Sequence, residues 1–186
     1  PVSPARQSIE EIETSAQRAA ELCKQMLAYS GKGRFMVRKL DLNEVVREMT
    51  HLLSVSVSKN AVLSYELDED VPVVEADATQ IRQVIMNLVT NASEAIEEPG
   101  GIISLTTGFM KCDESYLDET ISIDLDGLPE GKYVFIEVSD SGIGMDEEMK
   151  SKIFEPFFST KQTGRGLGLA AVLGIVRSHG GMLKVY

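Results

Sequence analysis

Apolar or small side chains recur at alternating steps of three and four near the start of the chain, at Ile9, Ile12, Ala16, Ala19, Cys23, Met26 and Ser30. This is the a/d spacing of a helix that packs against other helices. Ser3 followed by Pro4 supplies its start, a good cap before a residue tolerated in the first turn. Gly31-Lys32-Gly33 ends it and opens a linker. The spacing predicts one long helix over the first 30 residues and a domain boundary between residues 32 and 33.

From Asp41 the set Leu42, Val45, Val46, Met49, Leu52 and Leu53 predicts an amphipathic helix, with Asp41 and Glu44 in capping-box positions. A strand is expected over 61–67. A second helix starts at Asp77 with Gln80, carries Ile81, Val84, Ile85, Leu88, Ala92 and Ile96 on one face, and stops at Pro99-Gly100-Gly101. Strands are expected over 102–107 and 132–139, joined by an acidic, poorly periodic insert around 112–130. Residues 145–154 read as helical, 155–168 as irregular, 169–178 as helical and 181–186 as a last strand. Helices and strands mix without regular β-α-β alternation, so the fold class is α+β, with helices layered on a sheet.

The 186 residues allow one core plus a small appendage. At 43% hydrophobic and 25% charged residues, the chain falls outside the disordered and fibrous classes. Its net charge of −11 repels a polyanionic backbone, which argues against nucleic acid as a partner. Cys23 and Cys112 have neither metal-ligand nor disulfide-framework spacing, and a reducing cytoplasm fits them best. The longest apolar run, 169–176, falls short of the roughly 18 residues that a membrane span needs. No membrane contact is expected of this chain, while anchoring of a longer parent stays open.

Several residues could do chemistry, each beside a plainer structural reading: packing amides, a strand-ending turn at Asp140, a flexible glycine hinge at 164–168 and solvated loop cations. Asn87 and Asn91 lie four apart on one side of the second helix, and Asn is a poor residue in mid-helix. They are either packing amides or carbonyl ligands for a hard cation such as Mg²⁺, which accepts sparse protein ligation beside phosphates and water. The strand period puts Asp140 on the face of Val134, Ile136 and Val138 and so aims its carboxylate inward. An acceptor at that point suits the exocyclic amino group of adenine, whereas guanine presents a carbonyl there and would be repelled. Gly142 and Gly144 follow, permitting close approach of backbone to a flat ring. Gly164, Gly166 and Gly168 lead into a helix start, an arrangement suited to phosphate, with Lys161 and Arg165 nearby as cations. Phe154, Pro156, Phe157 and Phe158 read as packing anchors. His51 and His179 are poor catalytic candidates, the first on a helix border and the second at a helix end.

Taken in order, residues 83–92 (Gln-Val-Ile-Met-Asn-Leu-Val-Thr-Asn-Ala), 140–145 (Asp-Ser-Gly-Ile-Gly-Met), 154–161 (Phe-Glu-Pro-Phe-Phe-Ser-Thr-Lys) and 164–169 (Gly-Arg-Gly-Leu-Gly-Leu) resemble the N, G1, F and G2 boxes of sensor histidine kinases. The resemblance covers 41–186 and is to the catalytic ATP-binding domain of the GHKL, or Bergerat, fold. Residues 5–30 resemble the second helix of the dimerisation and histidine-phosphotransfer domain. The resemblance implies a two-layer α/β sandwich, a mixed sheet with helices on one face, preceded by one long helix. The domains are then 1–32, a partial phosphotransfer helix, and 33–186, the catalytic domain with its last strand missing. ATP and Mg²⁺ are the implied cofactors. Asn91 would hold Mg²⁺, and Asn87 would line the phosphate site with Lys161 and Arg165 as the cations. Asp140 would take the adenine amino group beside Gly142 and Gly144. Gly164, Gly166, Leu167 and Gly168 would belong to a lid, about 157–167, and a helix start that close on the phosphates. The implied reaction is transfer of the γ-phosphoryl of ATP to a histidine on a helix of the same or a partner protomer, for relay to a response regulator, within a homodimeric parent.

The chain also departs from the family's pattern. It holds no helix with the phosphoaccepting histidine, so autophosphorylation of this chain alone is not expected. Glu94 stands where many members place a basic residue. An ATPase of the gyrase or chaperone type is the alternative within the fold, but Asn87 occupies the position of its water-activating Glu. A non-catalytic ATP-binding interaction module is the other alternative.

Overall fold

Two aspartates start the two long helices. In the computed structural model, which describes residues 36–97, 99–118, 128–161 and 166–186 together with 6, 9, 12, 13 and 16, Asp41 accepts the amides of Asn43 (2.8 Å) and Glu44 (3.2 Å). It thereby opens α1, Leu42–Ser56. Asp77 accepts the amides of Thr79 (2.8 Å) and Gln80 (3.3 Å) at the head of α2, Ala78–Ala95. Each cap satisfies donors that the first helical turn leaves without partners. Leu42, Val45, Val46, Met49 and Leu53 of α1 are buried, while Leu52, expected among them, is 53% exposed. Ile85 and Val89 of α2 meet that stripe, and together they cover the sheet residues Leu63, Leu105, Val134, Ile136 and Val138.

The sheet has the order β2 (Ala61–Leu67), β4 (Gly101–Cys112) and β5 (Gly131–Asp140). β2 runs parallel to β4, with Ala61 opposite Gly101, and β4 runs antiparallel to β5, with Ile103 opposite Asp140. A parallel pair needs a crossover, and α2 lies in it. The sheet is therefore mixed with α1 and α2 on one face, as expected. α5, Gly168–Ser178, packs on α2 through Val172 and Ile175 against Val84.

Other expectations change in detail. Two three-residue strands, β1 (Arg38–Leu40) and β3 (Val74–Ala76), form a separate antiparallel pair that the sequence pattern did not announce. Three residues are too few to display alternation. The acidic insert contributes a short helix, α3 (Glu114–Asp118), and 119–127 lie outside the described residues. The helix expected over 145–154 shortens to α4, Glu147–Lys152, because Asp146 caps it by accepting the Met149 amide at 2.7 Å. Residues 181–186 form no strand. Leu183 and Val185 keep an apolar alternation but spend it on packing against Ile153, Phe154 and Leu173 rather than on a ladder. The described N-terminal residues Arg6, Ile9, Ile12, Glu13 and Ala16 are helical. The rest of that seam and the boundary between 32 and 33 lie outside the described residues.

Asp77 is also a junction. Its Oδ2 accepts the Met36 amide at 2.8 Å, and its own amide donates to His179 Nε2 at 3.0 Å. Because Nε2 accepts there, the imidazole proton belongs on Nδ1, which donates to the Ile175 carbonyl at 2.8 Å. Burial disfavours the Asp77 carboxylate, but the hydrogen bonds from the amides of Met36, Thr79 and Gln80 outweigh it and hold its pKa below the usual 3.8. A depressed carboxylate contributes stability that is present above its unfolded-state pKa and is lost as pH falls through the folded one. Asp77→Asn keeps a capping oxygen and removes the charge. Urea unfolding at neutral pH is expected to show a loss of about 1–3 kcal/mol, because the NH₂ that replaces one oxygen leaves a buried amide without its acceptor, and the acid limb of stability below pH 4 should be shallower than in the parent protein.

Candidate functional site

α2 carries Asn87 and Asn91 half-buried, and the start of α5 comes down beside them. Asn87 Nδ2 donates to the Gly168 carbonyl at 3.1 Å. A side chain at 168 would reach only ordinary contact, 3.8 Å from Asn87 Cγ and from Asn91 Nδ2. What position 168 contributes is thus its carbonyl and its place at the helix start, not the absence of a Cβ. Leu167, one residue earlier, is 4% exposed, so its side chain belongs to the core and only its backbone is offered to the site.

The turn after β5 docks on the other end of α2. Ile143 donates its amide to the Ala95 carbonyl at 3.1 Å, satisfying one of the carbonyls that a helix end leaves open. Gly142 makes this approach possible, because a Cβ there would lie 2.5 Å from Ala95 O and 2.7 Å from Asp140 Oδ1. Gly144 has φ +69° and faces open space. Asp140 has the predicted parity, since Val134, Ile136 and Val138 face the core. Its carboxylate is exposed, however, and not buried as the pattern implied. It is the last residue of β5, at the rim, and its Oδ1 accepts the Gly142 amide at 2.9 Å.

The residues just after α4 and at the start of α5 pack together. Phe154 is buried against Leu173, and Phe158 and Leu169 pack beside them. Phe157 departs from the expected anchoring, being 63% exposed with φ +70°. Its amide donates to the Gly166 carbonyl at 2.8 Å. Gly166 has φ +62°, and a Cβ there would come within 2.3 Å of Phe158 O, so this clasp requires glycine. Lys161 pairs with Glu94 of α2. Of the candidate residues, Gly164 and Arg165 lie outside the described residues. The structure therefore brings Asn87, Asn91 and Gly168 together, sets Asp140, Gly142 and Gly144 at the end of the same helix, and ties Lys161 to that helix. Two partnerships escaped the sequence: His179 with Asp77, which are 102 residues apart, and Lys161 with Glu94. Glu94 was visible only as an acid where the family pattern has a base.

Residues 76–186 match the family described as histidine kinase-, DNA gyrase B-, and HSP90-like ATPase. The chain belongs to this family. All four motifs fall within the matched span, so the resemblance drawn from them is borne out. Sensor kinase CckA of Brucella abortus (strain 2308) is 37% identical over 182 residues, which cover 97% of this chain and 19% of CckA. The catalytic domain of histidine kinase ThkA superposes with a TM-score of 0.57 at 36% identity, over 77% of this chain and 81% of that one. Histidine kinase ThkA in complex with response regulator protein TrrA superposes with a TM-score of 0.61 at 31% identity, over 97% of this chain and 47% of that one. The chain spans about a fifth of the length of CckA.

The turn at Gly142 can be tested without ligand. Gly142→Ala is expected to cost about 1–3 kcal/mol, as for other overpacked sites, in urea unfolding. Gly131→Ala, where a Cβ meets nothing within 4 Å, serves as the control and should change little.

Proposed function

We propose that the chain binds MgATP between α2, the Asp140 turn and the start of α5, as the catalytic domain of a sensor histidine kinase. It would pass the γ-phosphoryl group to a histidine on a helix of the same or a partner protomer, for relay to a response regulator receiver domain. The observation that carries this reading is the hydrogen bond from Asn87 to the Gly168 carbonyl, which brings the asparagine pair to the glycine-rich helix start. Such a helix start offers backbone N–H groups and a positive dipole end to phosphate.

In this reading Asp140 accepts from the adenine amino group, and the backbone at Gly142 and Gly144 lies along the base. Asn87 spends its NH₂ on Gly168 and keeps its carbonyl oxygen as an acceptor. Asn91 supplies a carbonyl oxygen to Mg²⁺, a hard ligand for a hard ion that otherwise takes phosphate oxygens and water. Bound there, the ion would neutralise phosphate charge. The backbone of Gly166, Leu167 and Gly168, with Gly164 before them, follows the phosphates. Lys161 and Arg165 bring cations to a protein whose net charge of −11 otherwise repels a polyphosphate. Catalysis is then positioning and charge neutralisation, with the accepting nitrogen supplied by the histidine helix.

The proposed parts are residues 1–32, the end of a phosphotransfer hairpin that pairs in a homodimer, and 33–186, the catalytic domain. No helix among the described residues is long and apolar enough to cross a membrane, and a cytoplasmic position for this part fits the chemistry. The complex of ThkA with TrrA supports a receiver domain as the downstream partner.

Calorimetry with MgATP, MgGTP and Asp140→Asn tests the nucleotide reading. ATP is expected to bind and GTP not to, and the substitution should weaken ATP by about tenfold or more, the weight of a hydrogen bond to a charged group. Equal binding of both nucleotides would remove Asp140 from base recognition. A histidine-bearing helix hairpin from a kinase such as CckA, supplied in trans with ATP, should acquire acid-labile phosphate. ATP binding without that transfer would leave a nucleotide-binding module and not a kinase.

A further inference from the structure

Glu94 is the feature of the site that the proposed function leaves unused. It lies three residues beyond Asn91 on α2, and residues three apart are neighbours on a helix surface. An acid at this point places negative charge beside a site proposed to take phosphates, which by itself costs binding. The structure shows what offsets that charge, since the Lys161 ammonium is paired with the Glu94 carboxylate. Lys161 is placed for this by its own turn, where Ser159 Oγ accepts the Lys161 amide at 3.1 Å. Four residues before it, Phe157 is joined to Gly166 by a backbone hydrogen bond. In the nucleotide reading above the same lysine is a cation for the phosphates, so one ammonium would have two anionic partners to choose between.

We propose that Glu94 is an internal competitor for Lys161, a positioning residue that holds the lysine when no phosphate is present and so sets the affinity for MgATP. This rests on the nucleotide reading above. The pair is formed by side chains that are 39% and 50% exposed, and exposed ion pairs are weak enough to be exchanged. A polyphosphate with its higher charge density is the stronger partner. Binding then has to break the pair, and removing Glu94 both abolishes that cost and lifts a repulsion.

The test is a double-substitution cycle on the full chain, with MgATP dissociation constants measured by calorimetry for the parent, Glu94→Gln, Lys161→Met and the two combined. Glu94→Gln is expected to tighten MgATP by about two- to fivefold, the range spanned by exposed ion pairs. Lys161→Met should weaken binding, and more so when Glu94 is already Gln, because the lysine is then committed to phosphate alone. Lys161→Arg, which keeps the charge, should keep the response to Glu94→Gln. Unchanged or weaker binding in Glu94→Gln, or strict additivity of the two substitutions, would overturn the proposal. Thermal melting of the ligand-free proteins is expected to change little. A change in affinity that merely tracks a fall in melting temperature would also overturn it, in favour of a structural role. If the parent and every variant fail to bind MgATP, the nucleotide reading falls and this proposal with it. Binding by the parent with no response to Glu94→Gln sinks this proposal alone.

Discussion

The buried carboxylate of Asp77 is the constraint on which the arrangement of the helices depends. It gathers the amides of Met36, Thr79 and Gln80, while its own amide holds His179. The incoming chain, the start of α2 and the end of α5 are thereby fixed to one residue. A buried acceptor-only group must be filled with donors or it is costly, and here the donors come from the incoming chain at Met36 and from the start of α2. With the end of α5 held at Asp77, its beginning falls beside Asn87, where Gly168 accepts a hydrogen bond. α5 is thus tied to α2 at both ends, and the side chains proposed to meet nucleotide sit between rigid points.

The sheet gives α2 its second fixed end. β5 stops at Asp140, and its turn returns to donate to the Ala95 carbonyl, which only Gly142 can approach so closely. Cap and turn therefore fix the two ends of one helix, and the asparagines are on the stretch between them. In contrast, Phe157 meets Gly166 through a backbone hydrogen bond, and Lys161 meets α2 through its exposed pair with Glu94. Strong, buried contacts hold the parts that need a fixed position. A weak, exposed ion pair holds the lysine proposed to respond to phosphate.

Much of this was legible in the residues. The caps at Asp41 and Asp77 and the strand over 61–67 appear where the pattern put them, and the helix ending in Ser178 begins one residue early, at Gly168. Caps and periodicity are local, so a local reading finds them. Two expectations failed for want of a partner in view. The burial of Asp140 was inferred from strand parity, which gives the face but not whether the helix layer extends over the strand's last residue. The strand expected over 181–186 had the right alternation, but its apolar positions found a helix and a loop to pack on instead of a ladder. β1 and β3 exist only because they pair with each other.

By itself the sequence determined the two long helices and the three main strands, their mixed order, the acidic field and the four motifs that assign the family. Each of these is carried by residues close in sequence, where spacing, capping chemistry and glycine placement act directly. The tertiary structure alone decided which ends meet, namely Asp77 with His179, Asn87 with Gly168, Gly142 with Ala95, and Lys161 with Glu94. A hydrogen bond or ion pair between segments depends on how whole helices pack, and packing is set jointly by many side chains of the core. Comparison with the family's motif can mark Glu94 as unexpected, but only the fold could show which cation it holds.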